Sequence, residues 1–372
     1  MIVAADGKLD PLDTLIRVLV FVIGALGILM FYRSILRVAV LHIRQRERIA
    51  TQTGRIARAP VLYLARRQRN YEDVQKTMVW AFPVHILFLI AVYFIWVQVS
   101  FMLLLWAVEI DRSWLKNFII SGSALSTLGF STPASAAGQL FAILEGAFGL
   151  GIIVFMFTFL PGYRAAVQNR EDLVGWIFAR VGERPTAFSL IAWSQKTDQL
   201  QDPGPIFERA ESWFRALQET HLLTPSLAFV PAVRTRRTWV GAATCMLDAA
   251  SFALSSLDVK GVQLARTCHD TGVEALNLVA RELSDETGVV AVEAVKGDGD
   301  DLAEAYNATY DRLAAAGLPM RPNRDECRLA FMSLRAEYMR AVRELAAATL
   351  MPTDEPWVLP WATPRPAATS PH

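Results

Sequence analysis

The sequence predicts an all-α membrane protein: three transmembrane helices with one re-entrant loop, followed by an all-helical water-soluble half. Three observations carry this. The composition is 53% hydrophobic with ten Trp and a net charge of only +1 over 372 residues, at a mean hydropathy of +0.29. The apolar residues are concentrated in three long runs before residue 163. A fourth uncharged stretch, too short to cross a bilayer, lies between the second and third runs.

The first run, Leu15 to Tyr32, is interrupted only by Arg17. The second, Trp80 to Val108, contains His85 and Gln98 as its larger polar residues, and the third, Gly138 to Leu160, contains Gln139, Glu145 and Thr158. At about 1.5 Å of rise per helical residue, each is long enough to cross roughly 30 Å of hydrocarbon. The residues before the first run carry Asp6, Asp10 and Asp13 against Lys8, the opposite of a basic leader, so the run reads as a retained anchor.

Orientation follows from charge. Residues 33 to 79 hold Arg33, Arg37, Arg44, Arg46, Arg48, Arg55, Arg58, Arg66, Arg67, Arg69 and Lys76 against Glu47, Glu72 and Asp73. Positive-inside bias puts this segment in the cytoplasm, with the N-terminus and residues 109 to 137 outside and everything after Pro161 inside. The expected location is a plasma (inner) membrane. Arg17 snorkels to the outer interface. Cys245, Cys268 and Cys327 fall on the reducing side, odd in number and without metal spacing, and are expected to be free thiols.

Residues 111 to 137 leave the second span and enter the third from the same side, so they cannot cross. Yet Asn117 to Phe130 reads NFIISGSALSTLGF without a charge. Non-helical backbone at membrane depth is tolerated only inside protein or against a watery cavity. A short helix from Ser113 to about Leu125, then an extended Thr127 to Ser131, meets that condition as a pore loop.

Ser126-Thr127-Leu128-Gly129-Phe130-Ser131-Thr132 resembles the filter of potassium channels built from two helices around a pore loop, which reads Thr-Val-Gly-Tyr-Gly-Asp. The resemblance covers about residues 80 to 162. It implies that backbone carbonyls of Thr127, Leu128, Gly129, Phe130 and Ser131 replace the water shell of a monovalent cation, potassium above all, and that four chains assemble around one axis. It implies a cuff role for Phe130 and a hinge at Gly149. Below that hinge, helical spacing turns Leu150, Ile153 and Phe157 to one side, as inner-pore lining around the axis or as packing against neighbours and lipid, and Pro161-Gly162 ends or bends the inner helix. Ser131 and Thr132 depart from the family at the second glycine and the acid, as in weakly selective cation channels. Gly146, Gly149 and Gly151 also suit close helix packing. Glu145, the one acid inside a span, is expected to accept hydrogen bonds from Ser121, Ser123 or Ser126 and so support the filter.

Beyond Tyr163, helical periodicity marks 207–221, 238–257, 261–283, 301–315 and 324–350, separated by Pro and Gly breakers. The chain thus divides into an anchor (1–41), a basic linker (42–79), a pore domain (80–162), a helical domain (163–351) and a Pro-rich tail (352–372). No Gly-x-Gly-x-x-Gly turn, cyclic-nucleotide pocket or voltage-sensor arginine repeat is present. Asp298 to Glu304 reads as a helix N-terminus rather than a calcium loop. Cys268-His269-Asp270 reads as a solvated helix face. Arg44 to Arg69 suits anionic lipid headgroups, and Arg234, Arg236 and Arg237 suit the same in preference to nucleic acid.

The expectation is therefore a homotetrameric cation channel gated through its helical domain, with no catalytic set, no cofactor, no metal beyond the filter cation and an unidentified cytoplasmic regulator. The competing expectation is a non-conducting membrane-anchored sensor or scaffold.

Overall fold

The computed structural model describes residues 11–39, 48–109, 113–182, 185–197, 203–232, 234, 237–287 and 298–351. The tail at 352–372, Arg44 and Arg46 lie outside the described residues. Those described are helical, with no strand beyond an isolated bridge between Leu257 and Met320. The helices are α1 (Pro11–Ala39), α2 (Arg48–Arg66), α3 (Tyr71–Met78), α4 (Ala81–Val108), α5 (Trp114–Leu125), α6 (Ala136–Val181), α7 (Ala187–Lys196), α8 (Gly204–Leu223), α9 (Trp239–Ser256), α10 (Val262–Thr287), α11 (Asp298–Ala315) and α12 (Arg324–Ala348), with a 3-10 turn at Pro225–Phe229. Three stretches are long and apolar enough to cross a membrane: Pro11–Leu36, Tyr71–Val108 and Ala136–Phe155.

The chain forms two compact units, residues 1–57 with 83–163, and 58–82 with 164–372. In the first, α1 packs on α4 through small residues. A Cβ on Gly24 would lie 2.8 Å from the Ser100 carbonyl oxygen and one on Gly27 would lie 2.5 Å from Ser100 Oγ. The Trp96 indole N–H donates to the Gly27 carbonyl at 3.1 Å. Between apolar helices in lipid, such close backbone approach supplies the packing that the hydrophobic effect cannot. Phe31, Tyr93, Val97, Phe101, Leu104, Leu125 and Ile152 form the core, with Phe31 set edge-on to Tyr93 at 5.6 Å.

In the second unit α9 is the central helix. Its sequence is small and apolar all round, the pattern of a fully enclosed helix, and every residue from Trp239 to Ser256 is buried. Helices α7, α8, α10 and α12 surround it. Its single charge, Asp248, meets Arg335 of α12 at 3.0 Å and accepts from the Tyr338 hydroxyl. The three cysteines are buried and free.

Several expectations are corrected. Of the two outcomes expected at Pro161-Gly162, a helix end is excluded: α6 runs on to Val181 with Pro161 inside it. Residues beyond the proline carry their own apolar stripe, Leu173, Val174, Ile177 and Phe178, all buried, and this packing outweighs the lost N–H. Cys268 and His269 are not a solvated face: both are fully buried, and only Asp270 of that triplet is exposed. The basic stretch before α4 folds as two helices, α2 and α3.

One turn gathers several of these elements. Arg170 of α6 donates to the carbonyls of Leu227 at 2.9 Å and Val230 at 2.8 Å. The Arg58 guanidinium of α2 lies 4.9 Å over the Phe229 ring. Tyr71, Val74, Gln75 and Met78 of α3 line one small pocket with residues 228–232. His221 sits beside the turn, its ring 5.2 Å from that of Trp239.

Two predictions follow from this core. Arg335→Ala strands a buried carboxylate and is expected to destabilise the helical unit by about 3–5 kcal/mol, whereas Arg335→Met with Asp248→Leu removes both charges and recovers most of that in thermal unfolding. Burial first, then the charge of Arg170, holds the His221 imidazole down at about 3, against its ordinary 6.5. Below pH 6.5 the unfolded chain takes up a proton that the folded chain refuses. Stability from this group is therefore complete above 6.5 and falls as the pH drops toward 3. A His221→Gln protein is expected to show a shallower acid decline of melting temperature across that window.

Candidate functional site: the α5 helix and the 126–135 loop

Helix α5 begins where the sequence expectation placed it, because Ser113 caps it by accepting from the Lys116 N–H at 3.4 Å. The Trp114 ring stacks on Trp106 at 4.8 Å, tying its start to the end of α4. Midway, the Gln98 side-chain amide donates to the Phe118 carbonyl at 3.2 Å. The Ser121 hydroxyl lies between the Gln98 carbonyl oxygen, 2.8 Å away, and Glu145 Oε1 on α6. With one proton to give, it serves one of the two at a time. Glu145 is fully buried, and its Oε2 has no hydrogen-bonding partner among the described residues.

The C-terminal end of α5 is pressed against glycines of α6. A Cβ on Gly149 would overlap the Leu125 carbonyl, and one on Gly146 would stand 3.3 Å from the Ala124 carbonyl oxygen; Gly151 has nothing within 4 Å. Helix α6 runs unbroken through Gly149. Of the two sequence readings of Gly149, close packing is the one with a contact behind it.

After Leu125 the chain turns back on the helix. Thr127 N–H donates to the Ala124 carbonyl at 2.9 Å and Leu128 N–H to the Ser123 carbonyl at 3.1 Å, the two bonds of a Schellman ending. Thr127 therefore takes a left-handed φ of +58°, which corrects the expectation of an extended residue there. A β-branched residue in this region is strained, at about 1–3 kcal/mol. Gly129, at φ +69°, adopts its angle without that penalty.

Ser123 organises the loop. Its carbonyl also accepts the Gly129 N–H at 3.2 Å, and its hydroxyl accepts the Ser131 N–H at 3.0 Å. The amides of Leu128, Gly129 and Ser131 are thus drawn toward α5. The carbonyl oxygens of Thr127, Leu128, Gly129 and Phe130 accept no hydrogen bond among the described residues. Leu128 and Phe130 are 71% and 68% exposed. The Ser126 hydroxyl returns to the Gly122 carbonyl at 2.6 Å and does not reach Glu145.

The loop closes on Glu109, a residue the sequence reading passed over. Its Oε1 accepts from the Ser135 N–H at 3.1 Å and the Ser135 hydroxyl at 2.5 Å, and Ser135 in turn caps α6 by accepting the Gly138 N–H at 2.9 Å. The signal available was an acid at the end of an apolar span, followed by a serine two residues after Pro133. Further along α6, Leu150, Ile153 and Phe157 are all exposed on the single chain, Phe157 at 74%. No protein-family model, curated protein or solved structure matches the chain.

The glycine contacts give a paired test. Gly149→Ala forces α5 and α6 apart and is expected to cost about 1–3 kcal/mol, read as a lowered melting temperature in detergent. Gly151→Ala meets open space and leaves it unchanged or raised.

Proposed function

We propose that the chain is one subunit of a homotetrameric channel for potassium or other monovalent cations, with residues 126–132 as its re-entrant filter. The observation that carries this reading is the run of four successive carbonyl oxygens, Thr127 to Phe130, that accept no hydrogen bond among the described residues while the neighbouring amides are bonded back to Ser123. A cation entering a pore exchanges its water shell for such oxygens, and one loop supplies one wall of a four-fold ring. Glu145, Ser121 and Gln98 hold α5 from behind, so the carboxylate supports the filter without touching ions. Leu150, Ile153 and Phe157 line the inner pore, and their exposure on a single chain suits a surface that faces an axis.

In this reading the N-terminus lies outside a plasma membrane, and the helical unit is cytoplasmic and controls opening. The turn at Pro225–Phe229 supports such control. It holds Arg170 of α6, the helix that carries Glu145 and Gly149, and it adjoins α3, which leads into α4.

Rubidium and sodium flux into vesicles carrying the purified tetramer tests the proposal. The wild type is expected to pass rubidium, and Gly129→Asp to lose flux at least ten-fold with tetramers intact. No flux from intact wild-type tetramers, or flux indifferent to Gly129→Asp, would return the non-conducting sensor as the better reading.

A further inference from the structure

Helix α2 has two unlike faces. Ala57, Arg58, Val61 and Ala65 are buried, whereas Tyr63 and Leu64 are 57% and 54% exposed beside exposed Arg66 and Arg67. The Arg67 guanidinium lies 4.5 Å over the Tyr63 ring. No acid occurs anywhere in α2, and Arg69 follows it, exposed. The acids of the next helix are Glu72 and Asp73, of which Asp73 is paired with Lys76 at 3.2 Å. Exposed Val79 and Trp80 then stand immediately before α4.

We propose that the Tyr63–Leu64 face of α2 is a docking surface for an anionic lipid bilayer. Tyr63 and Leu64 enter the boundary between headgroups and acyl chains, and Arg66, Arg67 and Arg69 meet phosphate oxygens. Three features select lipid over protein as the occupant. An apolar stripe flanked by arginines and free of acids is the composition of a helix that lies in the interface plane. The charge is complementary to an anionic leaflet. Chain continuity keeps α2 near a membrane, since α1 before it and α4 after it are both apolar enough to cross one, with Trp80 as an interfacial anchor. The opposite face carries Arg58 over Phe229, so α2 moors the helical unit to the bilayer. This surface is independent of whether the 126–132 loop conducts ions.

The test uses the full chain in vesicles of phosphatidylcholine with or without phosphatidylglycerol. The native cysteines are at most 5% exposed, so a fluorescent thiol label reports only an introduced site. Labels at Leu64→Cys and, separately, Tyr63→Cys are compared with Glu219→Cys, an exposed position on α8. In phosphatidylglycerol vesicles the α2 labels are expected to be quenched several-fold more by acyl-brominated lipid than by aqueous iodide, and the Glu219 label the reverse. Replacing Arg66, Arg67 and Arg69 together by Gln, omitting phosphatidylglycerol or raising salt shifts the α2 labels toward iodide. Iodide quenching equal to that at Glu219 in both vesicle types overturns the proposal. So does shielding from both quenchers, which would mean that a second copy or another protein covers the face.

Discussion

The Ser121 hydroxyl, set between the Gln98 carbonyl and the Glu145 carboxylate, is the interaction on which the 83–163 unit depends. It joins three helices that flank the 126–135 loop: α4, α5 and α6. A buried carboxylate without such a donor costs far more than one with it. The geometry leaves α5 little freedom. Its start is stacked on Trp106, its middle is bonded to Gln98, and its end rests on Gly146 and Gly149. With the helix fixed, Ser123 draws the loop amides inward, and the carbonyls of Thr127 to Phe130 accept no hydrogen bond among the described residues. The strained φ of Thr127 is held by these same bonds.

The second unit solves a different problem, that of enclosing a helix with no polar face. Helix α9 is wrapped by its neighbours, and its one charge is answered by Arg335 and Tyr338. Arg170 does a comparable job at the turn, where its guanidinium satisfies two carbonyls that no helix can serve. Arg58 and α3 reach the same turn, so residues from three parts of the chain pack around it.

Much of this was legible in the sequence. Apolar runs of sufficient length located the three candidate spans, and the uncharged stretch with Ser113 ahead of it located α5 almost to the residue. Periodicity located α8 to α12, because each has a clear buried stripe or, for α9, no polar face at all. What escaped depended on partners distant in sequence. Glu109 reads as an ordinary acid at a span's end until Ser135 is beside it. The buried state of Cys268 and His269 depends on α10 packing against α8 and α12, which local spacing does not reveal. Pro161 reads locally as a stop or a bend, whereas the apolar stripe that carries α6 past it is satisfied only in the folded unit. Helix α2 was hidden by Pro60 and by a charge density that reads as linker. At Thr127 an extended strand and a Schellman ending are equally open to a short loop; the carbonyls of α5 decide between them.

A channel built on this loop needs four copies of the Thr127–Phe130 carbonyls facing one another around an axis. A density map of the assembled protein in potassium chloride tests it most directly. The proposed channel requires four chains with the 126–132 loops converging on the axis and ion density beside the Thr127 to Phe130 oxygens. Loops held apart, or an assembly without four-fold symmetry, would contradict it.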